Sequence, residues 1–292
     1  MDKHEWLRRL SHLSIWKKHG QRAPHKPLFI LYALGRFQRG ENIVVSYEEA
    51  KGPLTQLLKE FGPPRRSYHP EEPFVRLATD GIWELSATVD RSSFTDKQLR
   101  NQGIKGQFTP EVEELLQQDP ALISQSAIYI LEDHFPESIH EDILQAVGLA
   151  LHVHTYRKKA RDPKFRERVL RAYAYSCAVC GFHVRLGHQL VGVEAAHIRW
   201  HQSGGPDREE NGLALCSLHH KLFDRGVFTV TDQHRLWVSE EAHGTRGFEE
   251  WLLRYHGKAI MEPVRSEYAP GDLYLEWHVR EVFRGNARRY EA

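Results

Sequence analysis

The chain has three cysteines, and all of them fall in one window with a histidine, as Cys177-x-x-Cys180 and Cys216-x-x-His219. Three thiolates and an imidazole paired at this spacing are the donor set of a closed, structural Zn2+ site. Such a knuckle fixes the fold locally, because the two pairs must sit on elements that meet and the chain between them must turn back. An odd number of cysteines used as metal donors argues against a disulfide framework and for a reducing compartment. A cytoplasmic location is therefore expected.

The residues inside and just after that window are Glu194-Ala-Ala-His197-Ile198, Asn211-Gly-Leu-Ala-Leu215, His219-His220 and Leu222-Phe-Asp224-Arg-Gly226. Residues 190–193 read as a strand leading to His197, and 212–215 as a short return strand. Ser217 as N-cap and Gly226 as the residue past the end predict a helix over 218–225. Successive helical residues point about 100° apart. His219 can therefore face the thiolates while His220 points elsewhere, with Asp224 on the same face as His220. An imidazole and a carboxylate on one helical face suit a divalent cation with open positions.

His197, Asn211 and His220 resemble the signature of HNH nucleases, a ββα-metal fold here flanked by a zinc knuckle. The resemblance implies that His197 is the general base that deprotonates water and that Asn211 fixes the loop orienting it. It further implies that His220 and Asp224 hold a catalytic cation (Mg2+, Mn2+, Co2+ or Ni2+). Many members carry a ligand directly before the base histidine, where this chain has Ala196. Glu194, upstream on the same strand, is the candidate substitute.

At 292 residues the chain has room for two domains. The expected division is 1–150 and 151–292, with a polar linker over about 151–162 and Asp162-Pro163 capping the next helix. Formal net charge is only +1. Nucleic-acid affinity must then come from local patches, and the densest is Arg157, Lys158, Lys159, Arg161, Lys164, Arg166, Arg168 and Arg171. The first residues, Met1-Asp-Lys-His-Glu-Trp-Leu-Arg-Arg, are too charged for a signal peptide. The apolar run Leu28–Leu34 is too short for a membrane span.

In the first half, helical spacing appears over Trp6–Lys18, over Leu28–Phe37 behind Pro27, and from Ser46 to Leu58, where Gly52-Pro53 should kink or split the helix. Phe74–Leu77 and Ile82–Leu85 around Ala78-Thr-Asp-Gly81 predict a hairpin. Residues 95–149 read as helical. Two helices and a basic hairpin outline a winged helix, with Arg22, Lys26, Arg65, Arg66 and Arg76 near Tyr68, Phe74 and Trp83. Ala23-Pro-His-Lys-Pro-Leu28, Pro73-Phe74, Asp80-Gly-Ile-Trp-Glu-Leu85, Gly106-x-Phe108 and His134-Phe-Pro136 resemble the sulfur-binding domain of restriction endonucleases acting on phosphorothioated DNA. There a small apolar cavity receives the sulfur while basic groups bracket the phosphate. The resemblance nominates His25, Lys26, Pro73 and Phe74, then Tyr68, Pro70, Arg22 and Arg66. Glu72 stands where relatives often have an aromatic residue.

The expected architecture is α+β: an N-terminal winged-helix-like sulfur-binding domain and a C-terminal ββα-metal (HNH) domain with a zinc knuckle. The expected function is a modification-dependent endonuclease acting on double-stranded, phosphorothioated DNA, with no membrane partner and room for a homodimer. Two rivals stay open, an HNH nuclease reading a methylated base and a non-catalytic, zinc-supported DNA-binding protein. Strands over 227–231 and 236–238 and a helix over 248–255 should follow the motif. Residues 265–292 carry no readable chemistry, and a packing or dimer helix is expected there.

Overall fold

The computed structural model describes residues 1–15, 21–151 and 163–289. Two compact units divide the chain, Met1–Arg157 and Lys158–Ala292. Among the described residues, no helix is long and apolar enough to cross a membrane.

In the first unit, α1 (Lys3–Ser11) opens on Asp2, whose side chain accepts from the Glu5 amide and so satisfies an orphan donor. The helix ends at Ser11 rather than Lys18. Residues 16–20 lie outside the described residues. Trp6 is wholly buried, and its indole donates to Ser126 Oγ at 2.7 Å. α2 (His25–Gln38) starts earlier than Leu28 and is buried from Lys26 to Gly35. Such all-round burial makes it the central helix of its domain. β1 (Val45–Ser46) leads into α3 (Tyr47–Phe61) through a complete Ser46/Glu49 capping box.

Pro53 does not split α3. The missing amide costs one hydrogen bond, but the helix buries Ala50, Leu54, Leu57, Leu58 and Phe61 on both sides of that turn, and tertiary packing prevails over propensity.

The expected hairpin is corrected. Its first arm is helical, α4 (Glu71–Arg76) followed by a 3₁₀ turn over Leu77–Asp80. Phe74, Val75 and Leu77 are all buried, as on a core-facing helix and unlike a half-buried strand, where Phe74 and Val75 would face opposite sides. β2 (Trp83–Leu85) pairs instead with β3 (Lys105–Phe108), past α5 (Asp96–Asn101). β3 also breaks the helical reading of 95–149. The sheet order is β1-β3-β2, all antiparallel. The order from α2 is helix, strand, two helices, strand, helix and strand, a mixed arrangement of helices around one small sheet. α6 (Pro110–Gln118), α7 (Ala121–His134) and α8 (His140–Val147) complete the domain.

In the second unit, α9 (Pro163–Ala172) delivers the chain to Cys177. The Asp162 cap, the linker and the cations at 157–161 lie outside the described residues. Instead of one strand over 190–193 there are two elements, separated at Gly192. Its φ of +73° is open to glycine without strain. β4 (Val184–Leu186) and β5 (Gln189–Val191) form a small hairpin before it. β6 (Val193–His197) then pairs antiparallel with β7 (Gly212–Cys216), with His197 opposite Gly212 and Val193 opposite Cys216. α10 (Ser217–Asp224) follows directly, giving strand, loop, strand, helix.

Beyond it, β8 (Phe228–Val230) and β9 (Leu236–Val238) form the expected pair. α11 (Arg246–Trp251) gives way to a 3₁₀ turn over Leu253–Tyr255, where a single helix was expected. α12 (Asp272–Glu281) is a packing helix. His278 stacks on Phe223 of α10 with centroids 3.7 Å apart, and Trp277 meets Trp200 edge-on.

Candidate functional site

The cysteine cluster forms first, because the β6/β7 register places Cys216 at the end of the return strand, where α10 begins. The donor atoms of Cys177, Cys180, Cys216 and His219 all lie within 4.8 Å of one another. His219 Nδ1 is 3.6 Å from Cys177 Sγ and 3.1 Å from Cys216 Sγ. On the far side of the ring, Nε2 donates to the Trp251 carbonyl at 2.8 Å. That bond fixes the tautomer with the Nδ1 lone pair aimed at the sulfurs, as an outer partner does for a metal-bound histidine. Hydrogen bonds from Cys180 and Cys216 hold the Cys177 thiol well below its ordinary range. Three clustered sulfurs, an oriented imidazole and burial fit a Cys3His metal site.

Next to it, β6 and α10 bring up the remaining candidates. Asn211 is fully buried. Its Oδ1 accepts from the Arg199 amide at 2.8 Å, and Nδ2 donates to the carbonyls of Arg199 and Pro206 at 3.0 Å each. One side chain thus clamps both ends of the loop between the strands. Gly205 completes the clamp, since a Cβ there would stand 1.8 Å from the Arg199 carbonyl oxygen and 2.9 Å from Asn211 Nδ2.

His197 stands at the mouth of this loop, partly exposed. Phe165 of α9 stacks on its ring at 4.0 Å and 15°. Its Nε2 lies 2.7 Å from Asp207 Oδ1. Neither Phe165 nor Asp207 is singled out by spacing. The one available signal for Asp207 is an acidic residue in a loop whose two ends must meet at His197.

His220 is buried between two carboxylates, with Nδ1 2.6 Å from Glu194 Oε2 and Nε2 3.1 Å from Asp224 Oδ2. Burial works against protonation, but Asp224 and Glu194 prevail and lift the imidazole to about 9. The same contact holds the Glu194 carboxyl down at about 2. The two acids differ in exposure. Asp224 has a side chain 2 % exposed and accepts from the Trp200 indole at 3.1 Å, whereas Glu194 is 46 % exposed. Ser217 does not cap α10, because its hydroxyl donates to Glu194 Oε1 at 2.9 Å. Cys216 occupies the N-cap position.

The sequence grouped Glu194, His220 and Asp224 as ligands of one cation. Among the described residues, the Cys3His group is the one set of three or more such donors that all lie within 4.8 Å of one another. The two carboxylates sit on opposite nitrogens of His220.

In the basic stretch, Arg166 donates to the Val193 carbonyl, and Arg168 donates to the Asp207 carbonyl while pairing with Glu209. These cations tie α9 to the strands and loop of the site. Lys164, Arg168 and Arg171 line an open surface depression with Glu167.

Several residues nominated in the first unit are internal. Phe74 is 0 % exposed and packs against Phe29, Tyr47 and Trp83, so it belongs to the core and not to a DNA-facing wall. Pro70 and Pro73 are also buried. Lys26 is buried and paired with Asp80 at 2.6 Å. Arg22 is buried and donates to the Phe61 carbonyl. Tyr68 is half-buried and Arg66 exposed. His25 is half-buried, with its pKa lowered by burial first, and it feels the charges of Glu72, His69 and Arg65. The structure thus brings His25 to the segment carrying Tyr68 and Arg66.

The family model of the ScoMcrA-like DNA sulfur-binding domain matches residues 3–152, and the HNH endonuclease model matches 177–231. No curated protein matches the chain. Among solved structures, the sulfur binding domain of SprMcrA complexed with phosphorothioated DNA is 24% identical. It covers 51% of this chain and 95% of its own, with a TM-score of 0.44. The corresponding domain of ScoMcrA, also complexed with phosphorothioated DNA, is 17% identical. It covers 49% of this chain and 94% of its own, with a TM-score of 0.42. The modification dependent TagI restriction endonuclease is 22% identical, covering 46% of this chain and 41% of its own, with a TM-score of 0.30. Since the first family model spans half of the chain, the protein belongs to the ScoMcrA-like DNA sulfur-binding domain family, and it carries an HNH endonuclease domain behind that module.

Proposed function

We propose that the protein is a restriction endonuclease that binds phosphorothioated double-stranded DNA through residues 1–150 and cuts a nearby phosphodiester through residues 151–292. The observation that carries the reading is the joining, in one chain, of a sulfur-binding family match to an HNH match. Replacing a phosphate oxygen by sulfur leaves the charge in place but presents a larger, more weakly hydrated atom. Exposed cations such as Arg66 then attract both linkages, and an apolar contact discriminates, because desolvating oxygen without a partner is costly. Tyr68 and His25 are the remaining candidates for that contact among the nominated side chains that are not core.

In the cutting domain, His197 takes the proton of the attacking water, and Asn211 keeps the loop that carries His197 in register. Cys177, Cys180, Cys216 and His219 would hold Zn2+ as a structural staple. A divalent cation (Mg2+, Mn2+, Co2+ or Ni2+) would offset the charge developing on the departing oxygen. His220 Nδ1 and the exposed Glu194 would hold it on the solvent side, Glu194 replacing the ligand missing at Ala196. Asp224, on the buried nitrogen, would orient the ring. One such site makes one nick, so a double-strand break takes a homodimer or two visits. The unpaired thiols of the cluster fit a cytoplasmic protein.

Matched duplexes, phosphorothioated, base-methylated and plain, at one fixed salt concentration and with each divalent metal in turn, test this. Only the phosphorothioated duplex should be cut. His197→Ala should bind it as the wild type does and lose roughly 10²–10⁴ in rate. Equal wild-type affinity for all three duplexes overturns the sulfur reading, and wild-type cutting by His197→Ala overturns the base.

A further inference from the structure

We propose that Asp207 is a positioning residue for the general base, holding His197 in the tautomer whose basic lone pair lies on Nδ1. The proposal rests on His197 being the base, as assigned above. His197 Nε2 and Asp207 Oδ1 are 2.7 Å apart, and the two side chains are 12% and 29% exposed. An ionised carboxylate can only accept, so the shared proton is carried by Nε2 and the neutral ring keeps its lone pair on the other nitrogen.

The remaining contacts leave the ring little freedom to do otherwise. Phe165 stacks flat on it, which fixes the plane and leaves open only which nitrogen meets the loop. Asp207 is itself held from both sides. Its carbonyl accepts from Arg168 Nη2 at 2.7 Å, and the carbonyl of its neighbour Pro206 accepts from Asn211 Nδ2. Phe165 and Arg168 both belong to α9, so one helix sets the ring and its carboxylate partner together. Among the described residues, His201 is a further titratable ring beside His197, with centroids 5.9 Å apart.

A half-buried negative partner does more than aim the ring. When water attacks, its O–H bond breaks, the proton passes to Nδ1, the oxygen bonds to phosphorus, and the bond to the leaving oxygen breaks. The imidazolium formed at that moment is stabilised by Asp207, which raises the driving force for the proton transfer. Asparagine at this position is nearly the same shape but can turn its amide toward Nε2 and donate, which favours the unproductive tautomer.

The test compares wild type, Asp207→Asn, Asp207→Glu and His197→Ala as full chains on a phosphorothioated duplex. Asp207→Asn should lower kcat by roughly 10- to 100-fold, within what a general base supplies. Its KM, zinc content and melting temperature should stay at wild-type values, and its acid limb of kcat should move to lower pH. Asp207→Glu, which restores the charge, should recover part of the rate. Wild-type kcat in Asp207→Asn beside an inactive His197→Ala overturns the role of Asp207 and spares the base. An active His197→Ala overturns both. A loss in Asp207→Asn shared equally by KM, zinc content and melting, with no recovery by glutamate, marks Asp207 as a loop tie and also overturns the proposal.

Discussion

The N-terminal unit closes around touching rings, running from Trp6 through Phe108, Trp83, Phe29 and Phe74 to Tyr47, whereas the C-terminal unit adds to its apolar core a buried cluster of three thiols and an imidazole. The contrast decides how chemistry and folding are related in each. In the first unit, polar residues that look like ligand contacts are used inside: Lys26 neutralises Asp80, and Arg22 satisfies the carbonyl of Phe61. In the second, the residues that fix the fold and those nominated for catalysis are chain neighbours. His219 completes the cluster and His220 turns to the other face of the same helix.

The largest test of this difference is metal removal. A chelator, or Cys180→Ser, should unfold the unit from 158 onward while the first unit stays folded, because a structural zinc supplies on the order of 10–16 kcal/mol in small metal-folded domains. Hydrogen exchange resolved by segment, together with zinc analysis, reads this directly. Loss of protection in both units at once would mean that the cores are coupled. Retained protection in both would mean that the thiols are not a staple.

A smaller effect separates core from contact within the first unit. Phe74→Ala should destabilise it by about 3–5 kcal/mol, the usual range for a buried ring. Lys26→Ala leaves the Asp80 charge buried without its partner and should cost a similar amount, about 3–5 kcal/mol. Arg66→Ala should leave the melting curve unchanged, weaken modified and plain DNA alike, and reduce the salt slope by about 1. Denaturant curves and binding isotherms on the same preparations separate the two classes. A stable Phe74→Ala with weakened DNA binding would return Phe74 to the contact surface.

That comparison also explains what was legible in the sequence. Fixed spacing between rare residues survives without any knowledge of packing, so Cys177, Cys180, Cys216 and His219 were found together, and the opposite facing of His219 and His220 followed from helical geometry alone. Contacts across loops leave no spacing. Asp207 and His197 meet only because Asn211 folds the loop back, and Phe165 reaches His197 from a separate helix. In the first half, Phe74 and Pro73 were nominated by likeness of short motifs, and such motifs recur for packing reasons as well. The false hairpin has the same origin. A run as short as Phe74–Leu77, buried except at Arg76, shows no period by which helix and strand could be told apart.

The smallest predicted effect concerns acid. Asp96 accepts from the Tyr47 hydroxyl at 2.8 Å and from Arg100, and pairs with Lys51 at 2.8 Å. Burial alone would raise its carboxyl, but Lys51, Tyr47 and Arg100 prevail and hold it at about 2 against an ordinary value of 3.8. A folded pKa below the unfolded one means that the contribution is complete above the unfolded value and is lost as pH falls from about 4 through 2. The side chain is 30% exposed, so solvent screening keeps the contribution within about 1 kcal/mol. Asp96→Asn should therefore be less stable than wild type in urea near neutrality, with the gap closing at about pH 2. If the Cys3His cluster holds its metal as proposed, the second unit should fail earlier on the same titration, because protons compete with the metal for the thiolates and His219. Following both units by segment-resolved exchange makes the order visible. A first unit that unfolds at higher pH than the second, or an Asp96→Asn gap that widens in acid, would reverse the comparison between the two cores.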